Sequence, residues 1–380
     1  MSKNIVFCAD GTWNSSNQDE NSDGIPDQTN VCKLFLALSG KLDSNTLMDK
    51  GEQEKSLSDA RGHITQVAKY IHGVGDSKNP IVKAIGGATG SGTITRIIRG
   101  YTYISRMYEE GDQIFIIGFS RGAYTARALA GMIAKQGVLK DTNYTDKASR
   151  EKFYMKAAQV WYRHNSSRED KGFIAKLASA LAYLPAFISQ KKVSESELLN
   201  VAKIAAVGVW DTVGAMGIPE FLGDGEKYDA FRFADTELSA KIAHGFHAVS
   251  LDERRSPFIP TLWDKAGNVV QVLFPGAHSD VGGGYPEHQL SDIALCWMVD
   301  HLKKIDLVFD HLPADPNAGG IAHEPWAGKL YSGKQKTRSF TGCFIEEHPS
   351  IQQRCDASPV KPSPEKKAVT YSPSNRLTAH

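Results

Sequence analysis

The sequence predicts an α/β fold, a mostly parallel, doubly wound sheet carrying a helical insertion. Three observations lead there. Short, unbroken apolar runs such as NIVFCA, QIFIIGF and IAAVGVW have the length and hydrophobicity of strands buried on both faces. Amphipathic helical text alternates with these runs. Turns rich in glycine or aspartate follow them directly, as at Asp10-Gly11 and Gly118–Gly122.

The first strand is expected over Asn4–Ala9, stopped by Asp10-Gly11, and the Asn-, Ser- and Asp-rich text from Asn14 to Thr29 is expected to be an exposed loop. A helix should follow over Val31–Leu38, then a strand over Gln66–Val74. The glycine run Gly86–Gly92 leads into a helix over Thr93–Glu110, whose apolar face carries Ile94, Ile97, Ile98, Tyr101, Ile104 and Met107. Gln113–Phe119 reads as strand and Arg121–Lys135 as helix. Charged and aromatic helical text from about Asp141 to Asn200 interrupts the alternation and reads as an insertion, a cap. Ile204–Trp210 resumes as a buried strand, Thr236–Val249 reads as helix, Val269–Phe274 as strand and Ser291–Lys303 as helix. Past Pro313 the periodicity fades, so a catalytic domain over 1–312 and a polar C-terminal extension over 313–380 are expected.

Bulk properties narrow the function. The 380 residues suffice for one large domain with appendages. The 44 basic and 43 acidic residues leave a net charge of +1, too even to draw in nucleic acid, and no nucleic-acid partner is expected. The 5 cysteines are scattered without metal-like spacing and read as reduced thiols of a protein folded in a reducing compartment. No apolar run reaches the ~18 residues needed to span a bilayer. The N-terminus lacks a signal-peptide core, so a cytoplasmic protein is expected, exported, if at all, without a cleaved signal.

Chemistry in a parallel sheet gathers at the C-terminal ends of strands. At the first such end, Gly118-Phe119-Ser120-Arg121-Gly122 lies between a strand and a helix, the context of a nucleophile elbow. Such a turn is so tight that only glycine fits two residues either side of the nucleophile. It also sets the hydroxyl at a helix N-terminus, where free N–H groups favour negative charge. Ser120 is therefore the expected nucleophile of an α/β-hydrolase-like fold.

A hydroxyl needs a base, and the base needs a group to fix its tautomer. His278 follows the strand VVQVLF in PGAHSDVGGGY, and Asp211 follows IAAVGVW in WDTVGAMG, the order this fold uses. Asp280, two residues after His278, is the rival acid. His72 comes too early in the chain, and His244 and His247 read as helical without a metal-like partner. The oxyanion is expected to meet the backbone N–H groups of Arg121 and of Gly11 or Thr12, with Asp10 bracing that loop. The text DGT also suggests a phosphatase, but Cys8 stands where that chemistry needs its attacking aspartate. The run GGATGSGT lacks the lysine of a phosphate loop and reads as a flexible turn. No metal or organic cofactor is expected. The apolar stretch Gly172–Ile188 reads either as a buried cap helix or as a lid that meets a membrane surface.

Together DGTWN, YIHGVG, GFSRGAYTAR, VGVWDTVGAMG, HAVSLDERRSPFIPTLW and LFPGAHSDVGGGYPE resemble the bacterial α/β-hydrolase domain, long of unknown function, of the first Tle class of type VI secretion lipase effectors. The resemblance runs from about Lys3 to about Leu302. It implies hydrolysis of a phospholipid acyl ester through Ser120, Asp211 and His278. It also implies delivery into target cells by a secretion carrier and neutralisation by an immunity protein. A small soluble ester or thioester is the second substrate reading. A binding or delivery module with a vestigial site is the reading of another class.

Overall fold

A computed structural model describes residues 2–11, 26–43, 52–72, 92–140, 146–166, 193–213, 236–328, 331 and 335–377. With strands and helices numbered in chain order, β1 (Asn4–Ala9) is the pivot of the main sheet. It pairs in parallel with β4 (Ile64–Ile71) on one side and β5 (Gln113–Phe119) on the other. Beyond β5 lie β8 (Ile204–Trp210), β9 (Ile242–Ser250), β10 (Val269–Phe274) and the short β11 (Glu346–Glu347), all parallel. Beyond β4 lie β3 (Glu52–Ser58) and β2 (Lys41–Leu42), both antiparallel. The order in this nine-stranded sheet is β11-β10-β9-β8-β5-β1-β4-β3-β2, while β6 (Val138–Leu139) and β7 (Leu198–Leu199) form a separate pair.

The continuous apolar runs are explained by what covers each face. Side chains alternate along a strand. Ile5, Phe7 and Ala9 of β1 and Ile114 and Ile116 of β5 point into one core, where α2 (Gly92–Met107), α3 (Arg121–Gln136) and α4 (Lys147–Ser166) pack. Val6 and Cys8, with Phe115, Ile117 and Phe119, point into the opposite core under α1 (Asn30–Ala37) and α6 (Gln289–Lys303). Each valine, isoleucine or phenylalanine among them, removed from water, stabilises the fold by about 1.5–3 kcal/mol. A buried ion pair at 2.8 Å, Lys33 to Asp292, joins α1 to α6.

Two elements differ from expectation. Thr236–Val249, read as helix, is largely taken up by β9: the run IAHGFHAVS lies between β8 and β10, and their hydrogen bonds override the weak helical look of its alanines and histidines. His244 and His247 are therefore strand residues. The polar text EQEKSLS, which gave no strand signal, is β3. Its Glu52 and Glu54 are buried because Lys69, Arg99 and Arg106 pair with them.

The text past Pro313 reads as a polar extension, yet it is built into the sheet's far edge. β11 pairs with β10, and Phe340, Ile345 and Ile351, the last on α7 (Ser350–Asp356), pack on Val249, Leu251 and Leu273. These apolar residues fill gaps beside β10 rather than forming a continuous face, so they leave no period to read. Of the expected insertion, α4 and β7 fall among the described residues, with Phe153 and Trp161 buried under the sheet. The stretch Gly172–Ile188, the glycine run before Gly92 and most of the Asn14–Thr29 loop lie outside them. Among the described residues no helix is long and apolar enough to cross a membrane.

Candidate active site

Parallel register brings the ends of five strands to one edge. Ala9 pairs with Gly118, Phe119 with Trp210, Trp210 with Ala248, and Ser250 with Phe274. The residues that follow these positions are Asp10, Ser120, Asp211 and, four past Phe274, His278.

Ser120 sits at φ 57°, ψ −123°, a left-handed conformation rare for a residue with a side chain, between β5 and α3. Such strain costs ~1–3 kcal/mol and persists only where the surroundings enforce it. Here the Ser120 N–H donates to the Trp210 carbonyl at 3.1 Å, and the Ser120 carbonyl accepts from Tyr124 N at 3.2 Å. The flanking glycines are demanded by sterics. A Cβ on Gly118 would stand 2.3 Å from the Gly122 carbonyl oxygen, and one on Gly122 would stand 2.0 Å from the Ala9 carbonyl oxygen.

His278 opens a short helical turn, α5 (His278–Gly282), and is 4% exposed. Its Nδ1 lies 2.5 Å from Asp211 Oδ2. Its ring packs against Phe119, centroids 4.6 Å apart, and edge-on to Phe258 at 5.0 Å. Its backbone N–H donates to Glu253 Oε2 at 3.2 Å. Nε2 is buried and makes no hydrogen bond among the described residues. Burial pushes the imidazole below its ordinary range, against the pull of Asp211.

Asp211 is fully buried, also at positive φ, 36°. Besides His278 it accepts from Ser250 N (3.0 Å) and from both terminal nitrogens of Arg338 (2.7 and 2.9 Å). Burial alone would raise its pKa, but the Arg338 guanidinium and His278 outweigh burial and hold the carboxyl well below the usual range. An ionised Asp211 can only accept, so the hydrogen on the His278 ring must sit on Nδ1. The lone pair is left on Nε2.

The structure brings Asp211, and not Asp280, onto the histidine ring. Asp280 Oδ2 instead accepts from the backbone N–H groups of Ala277 (2.8 Å) and His323 (3.0 Å), and Oδ1 pairs with His323 Nδ1 at 2.7 Å. It caps the turn that begins at His278.

Asp10 is also fully buried, its Oδ2 accepting from Tyr70 (2.6 Å) and Thr29 (2.7 Å). Burial raises its pKa in spite of these donors. Its Oδ1 accepts the Gly11 N–H at 2.6 Å. That donor is engaged within the loop, so Gly11 would have to leave Asp10 before it could face an oxyanion. Thr12 lies outside the described residues. Arg121 is the first residue of α3, where backbone N–H groups have no partner inside the helix. No group of three or more His, Cys, Asp or Glu among the described residues is arranged to hold a metal ion.

Several residues around the site gave no sequence signal of their own. Arg338, in the polar text past Pro313, reaches Asp211. Glu253 and Phe258 stand within HAVSLDERRSPFIPTLW, a block that carries the family likeness without revealing roles. His247, buried on β9, accepts the Thr212 N–H on Nε2 (3.1 Å) and lies 3.2 Å from Gln271 Oε1 through Nδ1, so it fixes the backbone beside Asp211. Burial, with Arg127 nearby, pushes its pKa down to about 3, which keeps it neutral.

A family model described as T6SS, Phospholipase effector Tle1-like, catalytic domain, matches residues 3–301. An uncharacterized protein of Saccharomyces cerevisiae, YEL023C, is 26% identical over 261 residues, 67% of this chain and 32% of its own length. An uncharacterized protein from Pseudomonas aeruginosa has a structure similar at a TM-score of 0.41 and 17% identity, covering 81% of this chain and 46% of that one. The Tle1 effector bound to the VgrG spike of the type 6 secretion system aligns at 0.36 and 18%, over 75% of this chain and 52% of that one. Thermogutta terrifontis esterase 2, phosphonylated by sarin, aligns at 0.29 and 10%, over 72% of this chain and 97% of that one. The chain thus spans about a third of the yeast relative and about half of each of the first two solved chains.

Proposed function

The chain belongs to the Tle1-like family of type VI secretion phospholipase effector catalytic domains, and from that premise we propose that it is a serine hydrolase that cleaves a phospholipid acyl ester. One observation carries the reading: the 2.5 Å contact between His278 Nδ1 and Asp211 Oδ2 leaves a buried, unpartnered Nε2 beside the strand end that bears Ser120. In the proposed reaction Nε2 takes the Ser120 proton as Oγ attacks the ester carbonyl, and Asp211 steadies the imidazolium that forms. The Arg121 N–H receives the developing oxyanion, with the Gly11–Thr12 loop supplying a second donor once Gly11 is released from Asp10. The imidazolium then protonates the leaving alcohol, and a water activated by the same histidine frees Ser120.

Gly172–Ile188 is the segment proposed to touch the lipid surface. The family's description as a T6SS effector supports a secretion carrier as a proposed partner and delivery into a target cell as the proposed fate, and an immunity protein is the further partner proposed. Two measurements test the chemistry. A fluorophosphonate probe is expected to label the protein and to fail on Ser120→Ala; labelling that survives that substitution removes the nucleophile. Turnover of phosphatidylcholine vesicles is expected to exceed that of a short-chain nitrophenyl ester at equal ester concentration. Indifference to vesicles with good turnover of the nitrophenyl ester shifts the substrate to a small soluble ester.

A further inference from the structure

Arg338 stands well beyond the family-matched span of residues 3–301 and still reaches the centre of the site. Its guanidinium makes four hydrogen bonds. Nη1 donates to Asp211 Oδ1 and to the Ser250 carbonyl, both at 2.7 Å, and Nη2 donates to Asp211 Oδ2 at 2.9 Å and to the Phe258 carbonyl at 2.5 Å. The two carbonyls fix the plane of the guanidinium, and the guanidinium then fixes the plane of the carboxylate. A lysine, a single point charge, cannot reproduce this two-pronged fit.

The resting site has a need for such a group. A neutral imidazole cannot compensate a buried carboxylate, and an uncompensated one would take up a proton and become a donor. The tautomer of the histidine would then be undetermined. On the Ser120–His278–Asp211 reading above, we infer that Arg338 is a positioning residue. It keeps Asp211 ionised and oriented so that His278 presents a bare Nε2 to Ser120. Orientation and charge act here in opposite directions. A nearby cation makes an imidazolium harder to form, so Arg338 lowers the basicity of His278 while holding it in place. Removing Arg338 should therefore slow the reaction and, at the same time, raise the apparent pKa of the His278–Asp211 pair, whichever member takes up the proton. A residue that merely stabilises the fold would not produce that pair of effects. Glu253, Arg255 and His247, the other titratable or charged groups close to the pair, are the same in every variant.

The 380-residue chain and its Arg338→Met, Arg338→Lys and Ser120→Ala variants are compared on p-nitrophenyl butyrate across pH, and by one-dimensional proton NMR of the far-downfield Nδ1–H resonance. Arg338→Met is expected to lower kcat by about 10- to 100-fold, by analogy with the loss of groups that orient metal-ligating side chains, with KM nearly unchanged. The acidic limb of its kcat/KM profile is expected to move to higher pH, and the downfield resonance to shift or broaden. Arg338→Lys keeps the charge, so its limb should stay with that of the unsubstituted protein while kcat falls about tenfold. If Arg338→Met does not fold, Arg338→Lys and its resonance decide the matter: an unaltered kcat with an unmoved resonance overturns the role. An Arg338→Met protein with unaltered kcat and acidic limb overturns it as well. Turnover that survives in Ser120→Ala overturns the nucleophile reading and this inference with it. A silent Ser120→Ala beside a fully active Arg338→Met overturns this inference alone.

Discussion

Ser120, Asp211 and His278 differ in what their surroundings do to them, and each difference is measurable. Ser120 is held at positive φ by the Trp210 carbonyl and by its own helix, whereas Asp211 is held by three donor residues, and the His278 imidazole by one carboxylate and two aromatic rings. Asp211→Asn should keep the fold and lower kcat by about 10³–10⁴-fold, because the amide lets the histidine adopt the wrong tautomer. Asp280→Ala removes the cap of α5 and should cost ~1–3 kcal/mol in chemical denaturation with a smaller loss of kcat. A larger kcat loss at Asp280 would exchange the two roles. Burial depresses His278, with Asp211 opposing. A depressed group adds stability above its unfolded value, near 6.5, and loses it as the pH falls through the folded value. The same displacement keeps the base form populated in mild acid, so the acidic limb of kcat/KM should have its midpoint below about 6.5. A midpoint at or above about 6.5 would contradict a buried base. Ser120, Asp211 and His278, the proposed nucleophile, acid and base, were legible as candidates because each directly follows, or closely trails, a recognisable apolar strand. Which aspartate meets the ring was not, because that depends on where the carboxylates turn, and Asp280 is diverted by His323.

The tight turn at Ser120 is legible from five residues because its constraint is steric and local. The contacts that a Cβ would make at Gly118 and Gly122 fall far inside van der Waals distance of backbone atoms, which cannot swing aside. Gly122→Ala should therefore destabilise by more than about 3 kcal/mol, read as a lowered melting temperature, or yield insoluble protein. A folded, fully labelled Gly122→Ala protein would mean that the turn can relax. β9 and β3 were not legible, for different reasons. In β9 a glycine, two histidines and two alanines blur the choice between periods, and its place between two strands decides it. In β3 the buried faces carry glutamates, and the cations that neutralise them lie on β4 and α2, remote in sequence. A period read along one strand cannot reveal a partner on another.

At the scale of the molecule, the site depends on chain that a linear reading sets aside. Residues past Pro313 supply β11, the Phe340–Ile345–Ile351 cluster and the Arg338 fork on Asp211. Removing residues 313–380 is expected to leave a chain without a cooperative thermal transition and without fluorophosphonate labelling; a truncated protein that melts and labels like the whole would refute this. The sheet's apolar strands announced the centre of the fold, while its rim, built from scattered apolar residues and paired charges, stayed silent. The distance in sequence from Asp211 to Arg338, 127 positions, has a consequence for biosynthesis. Chains leave the ribosome N-terminus first, at ~5–20 residues per second. For several seconds the nascent polypeptide therefore carries Ser120 and Asp211 while the counter-ion of Asp211 is still untranslated. Ribosome-stalled chains ending before position 338 should react with the probe more slowly than released ones.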